Sequence, residues 1–354
     1  MSSCPNHENI TVTVRNGFFH NCLSTLGIVT LIFFAVIFLA IFAMGKSSGT
    51  SSSKSLLKNL SVQDGDCVAE FIEGNEEAEK MIAVIDIKGT IVSDRMGFDD
   101  TCSKDIVKLI RAANEDENVV AILLNLDTPG GEVTAADEIY HELTLVKKPV
   151  VAMMNSMAAS GGYYVAAAAQ RIVANRLTMT GSIGVIMRGY NFSGLLDFFD
   201  IEREVFASGK MKNMLDPMSD TSNEEKTLVK QLVMNSYRIF VQIVSDSRHI
   251  PVDTILSGPI GDGRILDGAQ ALELGLVDRL GYFSDAVDQT LELAKLKKDE
   301  CCVMRLSPRV NLSVLLSSFL VKSSLPDRGA QLNLNSMQSS SALKPGRLYF
   351  LPAI

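Results

Sequence analysis

An alternation of strand-length apolar runs with helical patterns constrains this chain more than any other feature. Ile82–Ile87, Val119–Leu126 and Val150–Met154 have the length and the branched, aliphatic character of buried strands. Between them, the stretches from about Ser103 to Asn114 and from about Val133 to Val146 carry helical periodicity. Strands joined through helices pair in parallel, so the expected fold class is α/β with repeated βα units and a mostly parallel sheet. An alanine-rich helix from Val165 to Ala169 and a short strand at Arg171–Ala174 continue the pattern. Further on, Ser222 with Glu225 three positions later forms a capping box, and Leu228, Leu232, Ile239 and Ile243 fall on roughly one face of the helix it opens. The expected role of that face is packing.

Leu23 to Met44 carries no charge and is almost wholly apolar, which at about 1.5 Å per residue spans roughly 30 Å of hydrocarbon. The run is longer than the apolar core of a usual signal peptide and no clear A-x-A site follows it, so it reads as one uncleaved transmembrane helix. The organisation expected is a short N-terminal segment at 1–22, an anchor at 23–44, a Ser-rich tether at 45–75, a globular domain at 76–300 and a tail at 301–354. The tail is expected to be loosely ordered or to lie against a neighbouring subunit. Lys46, Lys54 and Lys58 outnumber Arg15 across the anchor, so a count of positive charge places the large domain in the cytoplasm.

A formal charge of −8 and the lack of a Lys/Arg-rich block exclude nucleic acid as the expected partner. Cys67, Cys102, Cys301 and Cys302 show neither a paired C-x-x-C zinc pattern nor a disulfide framework, and read as ordinary thiols.

The chemistry concentrates in glycine turns that follow strands. Met157-Ala158-Ala159-Ser160-Gly161-Gly162-Tyr163-Tyr164 reads as an exposed serine nucleophile opening a helix. One βα unit earlier, Asp127-Thr128-Pro129-Gly130-Gly131 ends another strand, and its outward amides could form an oxyanion hole. Taken alone, each has a bland reading: a helix cap at Ser160, and a tight turn with Asp127 as a local cap. Two such turns on adjacent strands could clasp one carbonyl oxygen. His7, His20, His141 and His249 all lie outside segments of this kind, so a lysine must be considered as the base.

The stretches M-A-A-S-G-G-Y-Y, L-D-T-P-G-G, M-T-G-S-I-G-V-I and A-S-G-K-M-K-N-M-L-D-P together resemble the signal peptide peptidase A family of bacterial Ser/Lys membrane peptidases, from about residue 80 to residue 290. The later G-R-I-L-D-G-A-Q-A-L-E-L-G-L-V-D-R-L-G is similar to the wider ClpP/crotonase superfamily, which implies a ClpP/crotonase-like fold of repeated ββα units. The resemblance implies Ser160 as nucleophile, Lys212 as general base and Ser182 as the residue that orients the lysine. It implies an oxyanion hole from the Gly161 amide and one from Gly130 or Gly131. Lys210, two residues earlier, is the rival base. Such a base works as a free amine, so its pKa must fall from about 10.4 to about 7–8, and Phe206, Met211, Met214 and Leu215 are the expected apolar enclosure.

In the single-length form that this chain resembles, serine and lysine come from neighbouring protomers of a ring- or dome-shaped homo-oligomer. The implied substrates are signal-peptide remnants and other unfolded or short peptides, and the implied place is the bacterial cytoplasmic (inner) membrane with the catalytic domain outside, against the charge count. No cofactor and no metal are expected. The alternatives are a catalytically silent membrane scaffold of the same fold, and a crotonase-type acyl-CoA enzyme, for which no carboxylate base or nucleotide-binding feature is identifiable.

Overall fold

The computed structural model describes residues 67–94, 100–309 and 348–350, all within the unit Leu56–Ile354. The expected anchor at 23–44 lies outside the described residues, and among these no helix is long and apolar enough to cross a membrane. In chain order the elements are β1 Cys67–Gly74, β2 Lys80–Lys88, β3 Ile91–Val92, β4 Thr101–Cys102, α1 Ser103–Glu115, β5 Val119–Thr128, β6 Gly131–Glu132, α2 Val133–Thr144, β7 Val150–Ala159 and α3 Gly161–Ala166. They continue with β8 Arg171–Ala174, β9 Met179–Gly181, α4 Ser193–Phe198, α5 Asn223–Arg248, α6 Val252–Ser257, β10 Ile265–Leu266, α7 Gly268–Glu273, β11 Arg279–Leu280, α8 Phe283–Ala294, β12 Cys301–Pro308 and β13 Tyr349–Phe350.

The large sheet runs β1-β12-β2-β5-β7-β8-β11, and every neighbouring pair is parallel except β1 with β12. Its central strands are apolar on both faces because helices cover both. Met81, Ala83, Ile85, Ile122, Leu124, Ala152 and Met154 pack under the helices of one face, while Ile82, Val84, Ala121, Leu123, Val151 and Met153 meet Ala286, Val287 and Leu291 of α8 on the other. Each such aliphatic side chain, fully buried, contributes about 1.5–3 kcal/mol. A small second sheet, β13-β6-β3-β4, sits at the turn that follows β5.

Several boundaries differ from the sequence reading. β1 lies inside the stretch expected to be tether, and β12 inside the expected tail, yet β12 is inserted between β1 and β2. Polar tethers and short apolar strands look alike locally, and only long-range pairing distinguishes them. Ser160 opens a helix as its motif suggests, but that helix runs Gly161–Ala166 rather than Val165 to Ala169. α5 has the expected capping box, but it buries Phe240, Val241 and Val244 near its end, while Leu232 and Ile239 are exposed. Leu228, Val229, Val233 and Met234 of its first half are only partly buried, so the apolar stripe there is incompletely covered among the described residues. Cys102, Cys301 and Cys302 are buried free thiols and Cys67 is half-buried; burial pushes the Cys301 thiol up to about 11.

The end of α5 is clamped to the sheet. Arg248 donates two hydrogen bonds to Asp278, at 2.9 and 3.0 Å, and a third to the Gly275 carbonyl at 2.9 Å. Asp278 also accepts the Ile172 amide of β8 at 2.7 Å. Burial works to raise the Asp278 carboxyl, but the bonds from Arg248 and Ile172 outweigh it and hold the carboxyl below its ordinary range. A depressed carboxyl stabilises the fold above its unfolded pKa, and that contribution is lost as pH falls through the folded value. Asp278→Asn should therefore cost roughly 2–3 kcal/mol near neutral pH, after allowance for partial exposure of the pair. Urea unfolding at neutral and at acid pH checks this: the gap between the two proteins should narrow progressively as pH falls below the ordinary carboxylate range toward the lower folded value, and a gap constant with pH would remove the carboxyl from this role.

Candidate active site

β7 divides at its end. Val151–Met154 pairs with β8, whereas Met157, Ala158 and Ala159 pair with β9. The chain then turns sharply into α3 at Ser160, whose φ of 53° and ψ of −111° are unusual for a residue with a side chain. Such a conformation costs of order 1–3 kcal/mol and persists only where the surroundings enforce it. Here the Ser160 amide donates to the Gly181 carbonyl at 2.8 Å, and its own carbonyl accepts from Tyr164 at 2.9 Å. Ser160 is fully buried, against the expectation of an exposed nucleophile, and its Oγ has no hydrogen-bond partner. A buried hydroxyl left unpaired costs about 1–3 kcal/mol, which marks the position as held for something other than stability.

The neighbouring turn is bound to this one by pairing of Thr128 with Ala158. Asp127 does not cap its own turn; its Oδ1 accepts the Met157 amide across the sheet at 3.1 Å, at the irregularity between Leu126 and Thr128. Thr128 Oγ1 donates to the Gly89 carbonyl at 2.5 Å and accepts the Gly130 amide at 3.0 Å. Gly130 has φ 98°, a region that favours glycine, and its carbonyl accepts from Ile91 at 2.9 Å. A Cβ on Gly131 would lie 1.9 Å from the Ile91 carbonyl oxygen, and one on Gly162 would lie 2.8 Å from Thr128 Cγ2. Both glycines are thus demanded by close approach. Among the described residues no acceptor takes the Gly161 amide, which opens α3 as a free first-turn N–H. The Gly130 amide is engaged by Thr128 in this state.

Ser182 follows β9 and shares the left-handed region, with φ 49°; it is buried and its amide donates to the Arg264 carbonyl at 2.7 Å. Pairing of Ala159 with Gly181 brings Ser182 beside Ser160 in the sheet. The two candidate lysines are exposed. Lys212 is exposed on a run of turns, its amide donating to the Gly209 carbonyl at 3.0 Å, and within the chain no hydrogen bond joins it to Ser160 or Ser182. Phe206 is 93% exposed and Leu215 38%, so the expected apolar enclosure does not form among the described residues. Lys210 is exposed too, and it is ion-paired with Glu224, whose hydrogen bond and charge raise the ammonium above its ordinary range. Among the described residues, no group of three His, Cys, Asp or Glu side chains is placed to hold a metal ion.

Residues 143–297 match the model of peptidase family S49. The chain is 35% identical over 190 residues to a candidate signal peptide peptidase of Enterococcus faecium, covering 53% of this chain and 55% of that protein. To a candidate protease of Synechocystis sp. it is 38% identical over 223 residues, covering 62% of this chain and 77% of the relative. The chain belongs to peptidase family S49, the signal peptide peptidase A family. A chloroplastic serine protease of Arabidopsis thaliana is 32% identical over 220 residues, covering 61% of this chain and 32% of the plant protein. The match thus spans about half the length of the Enterococcus relative and a third of the plant one.

The mostly parallel α/β architecture fits the ClpP-like fold that S49 membership implies. Ser160, Ser182 and Lys212 all fall inside the S49 match, while the Gly130-Gly131 turn lies before it. The sheet brings together Ser160, Gly161, Ser182 and the Gly130-Gly131 turn, but not Lys212. Sequence reading passed over Thr128, although a threonine two residues before a glycine amide is a known turn-forming hydroxyl. Gly162→Ala should strain the contact with Thr128 Cγ2 by about 1–3 kcal/mol. Adding Thr128→Ser, which removes that methyl, should return part of the loss in a double-mutant cycle measured by denaturant unfolding. Additive costs would mean that the two turns are not packed together in this way.

Proposed function

We propose that this chain is a membrane-anchored serine endopeptidase that cleaves signal-peptide remnants and other short or unfolded peptides through an acyl-enzyme. The observation that carries this reading is Ser160: a buried, unpaired hydroxyl in a left-handed turn, beside a helix N-terminus and a second glycine turn. Ser160 Oγ attacks the peptide carbonyl while Lys212, as a free amine, takes its proton, and Ser182 orients the amine. The Gly161 amide and one from the Gly130-Gly131 turn stabilise the oxyanion. The lysinium then protonates the leaving amine, and a water deprotonated by Lys212 releases the acyl group.

An exposed Lys212 and a buried Ser160 whose Oγ has no partner support a site shared between copies, with the lysine supplied by a neighbour. Tyr190, Phe198 and Phe206 are at least 73% exposed in the same region, and apolar surface of that kind calls for a covering partner. The Glu224 partner of Lys210 favours Lys212 as the base, because the ion pair holds Lys210 as the ammonium rather than the free amine a base must be. The residues at 23–44 would anchor the ring in the bacterial inner membrane, with the catalytic domain on the extracytoplasmic side.

Ser160→Ala and Lys212→Ala should each lower cleavage of an unfolded protein by at least about 10³-fold, whereas Lys210→Ala should stay within a few-fold. Mixed oligomers of the two inactive variants should regain part of the rate, since some interfaces would join an intact serine to an intact lysine. Wild-type activity should rise with pH from about 6 and level off once the amine is neutral, the sign required of a base that must be neutral. A fully active Lys212→Ala would transfer the role to Lys210 or end the dyad, and a folded oligomer without cleavage would leave the silent scaffold.

A further inference from the structure

Each of the two glycine turns runs into a helix: α2 begins two residues after Gly131, and α3 begins directly after Ser160. The placing of these helices against each other therefore sets where the Gly161 amide stands relative to the Gly130-Gly131 turn. α3 is six residues long and opens on Gly161-Gly162. A helix so short has little stability of its own, and two glycines weaken its first turn further. Gly162 is demanded by its close approach to Thr128. The first turn is thus held by the two side chains that follow, Tyr163 and Tyr164, and both are buried.

Tyr163 donates its hydroxyl to the Leu276 carbonyl at 2.8 Å, which ties α3 to the segment that Arg248 clamps. Tyr164 ties it to α2. Its hydroxyl donates to Asp137 Oδ1 at 2.6 Å, a length expected of a hydroxyl on an ionised carboxylate. Its ring meets Tyr140 of α2 edge-on, with centroids 5.3 Å apart, and lies 5.0 Å from Phe240 of α5. Its amide is the one that holds the Ser160 carbonyl. Burial, and after it the bond to Asp137, raise the Tyr164 phenol above its ordinary range, so the hydroxyl keeps its proton well above neutral pH. Asp137 is exposed on α2, and a bond whose acceptor water also reaches adds only modestly to stability. What the bond fixes is the direction of α3 against α2.

We infer that Tyr164 and Asp137 are a positioning pair, a strut between α2 and α3 that sets the spacing of the two glycine turns and holds the left-handed turn at Ser160. Its consequence for rate rests on Ser160 being the nucleophile; the strut itself does not. Spacing of oxyanion donors matters most where charge develops on the carbonyl oxygen, so loss of the strut lowers kcat and leaves KM nearly unchanged. Three variants of the full chain test it: Tyr164→Phe keeps the ring without the hydroxyl, Asp137→Ala removes the acceptor, and Asp137→Asn keeps an oxygen acceptor without the charge. With a fluorescently labelled unfolded protein as substrate, Tyr164→Phe and Asp137→Ala should each lower kcat at least about tenfold with KM within about twofold. The double variant should be no slower than either single one, and Asp137→Asn should recover most of the loss. Amide hydrogen exchange over residues 160–166 needs no cleavage, and it should quicken at least about tenfold in Tyr164→Phe and Asp137→Ala. Circular dichroism melting establishes that each protein is folded. Unchanged kcat with unchanged exchange would overturn the pair, as would losses that multiply in the double variant or fall on KM. Quicker exchange in the variants, with no cleavage even by the unaltered chain, would keep the strut and remove the peptidase. Cleavage at one rate by all the proteins, with no difference in exchange, would do the reverse.

Discussion

Parallel pairing of β5 with β7 is the constraint on which the site depends. It sets Thr128 opposite Ala158, and from that one register the two glycine turns end up side by side at the carboxyl end of the sheet. Asp127 secures the register where it becomes irregular, by accepting the Met157 amide that β5 itself leaves unmatched. Thr128 then links three backbones: it donates to Gly89, accepts from Gly130, and sets its methyl against Gly162 of α3. A left-handed Ser160 is tolerable only in such a frame, because the Gly181 carbonyl and the Tyr164 amide hold it from both sides. The strain is local, and the aliphatic sheet behind it supplies the stabilisation that offsets it.

The region from Val185 to Ile239 obeys a different rule. Inside the sheet, side chains are buried on both faces; here aromatic and aliphatic residues such as Tyr190, Phe198, Phe206 and Ile239 stand in solvent. The region is held by its own polar contacts, among them the Phe192 amide on the Pro217 carbonyl at 2.6 Å and the Arg203–Asp216 ion pair. Both candidate lysines lie on it. A base carried there can be desolvated only by something that covers this surface, so the chemistry proposed for Ser160 and the exposure of these side chains are one physical problem rather than two.

The sheet edges beside the glycine turns pair with a distant segment of the chain. β6 and the backbone at Ile186 offer main-chain donors and acceptors on either side of the Ser160 turn, and Leu348–Phe350 uses them.

Much of this was legible in the sequence. Periodicity and apolar run length located β2, β5, β7, α1 and α2 within a few residues, because those signals are local and the strands are covered on both faces. The glycine turns, the Ser160 motif and the Ser222–Glu225 capping box were legible for the same reason: a backbone that must turn tightly, or cap a helix, needs particular residues at particular positions. Tertiary structure alone decided the rest. Inserting β12 between β1 and β2, and adding β13 to β6, are pairings between segments distant in the chain, and no local period encodes a partner more than two hundred residues away. Tertiary structure likewise assigned Asp127 to Met157 rather than to its own turn, joined Lys210 to Glu224, and left Lys212 exposed while burying Ser160. The state of an ionisable side chain depends on what stands beside it in space, and a sequence names the side chain without naming its neighbours.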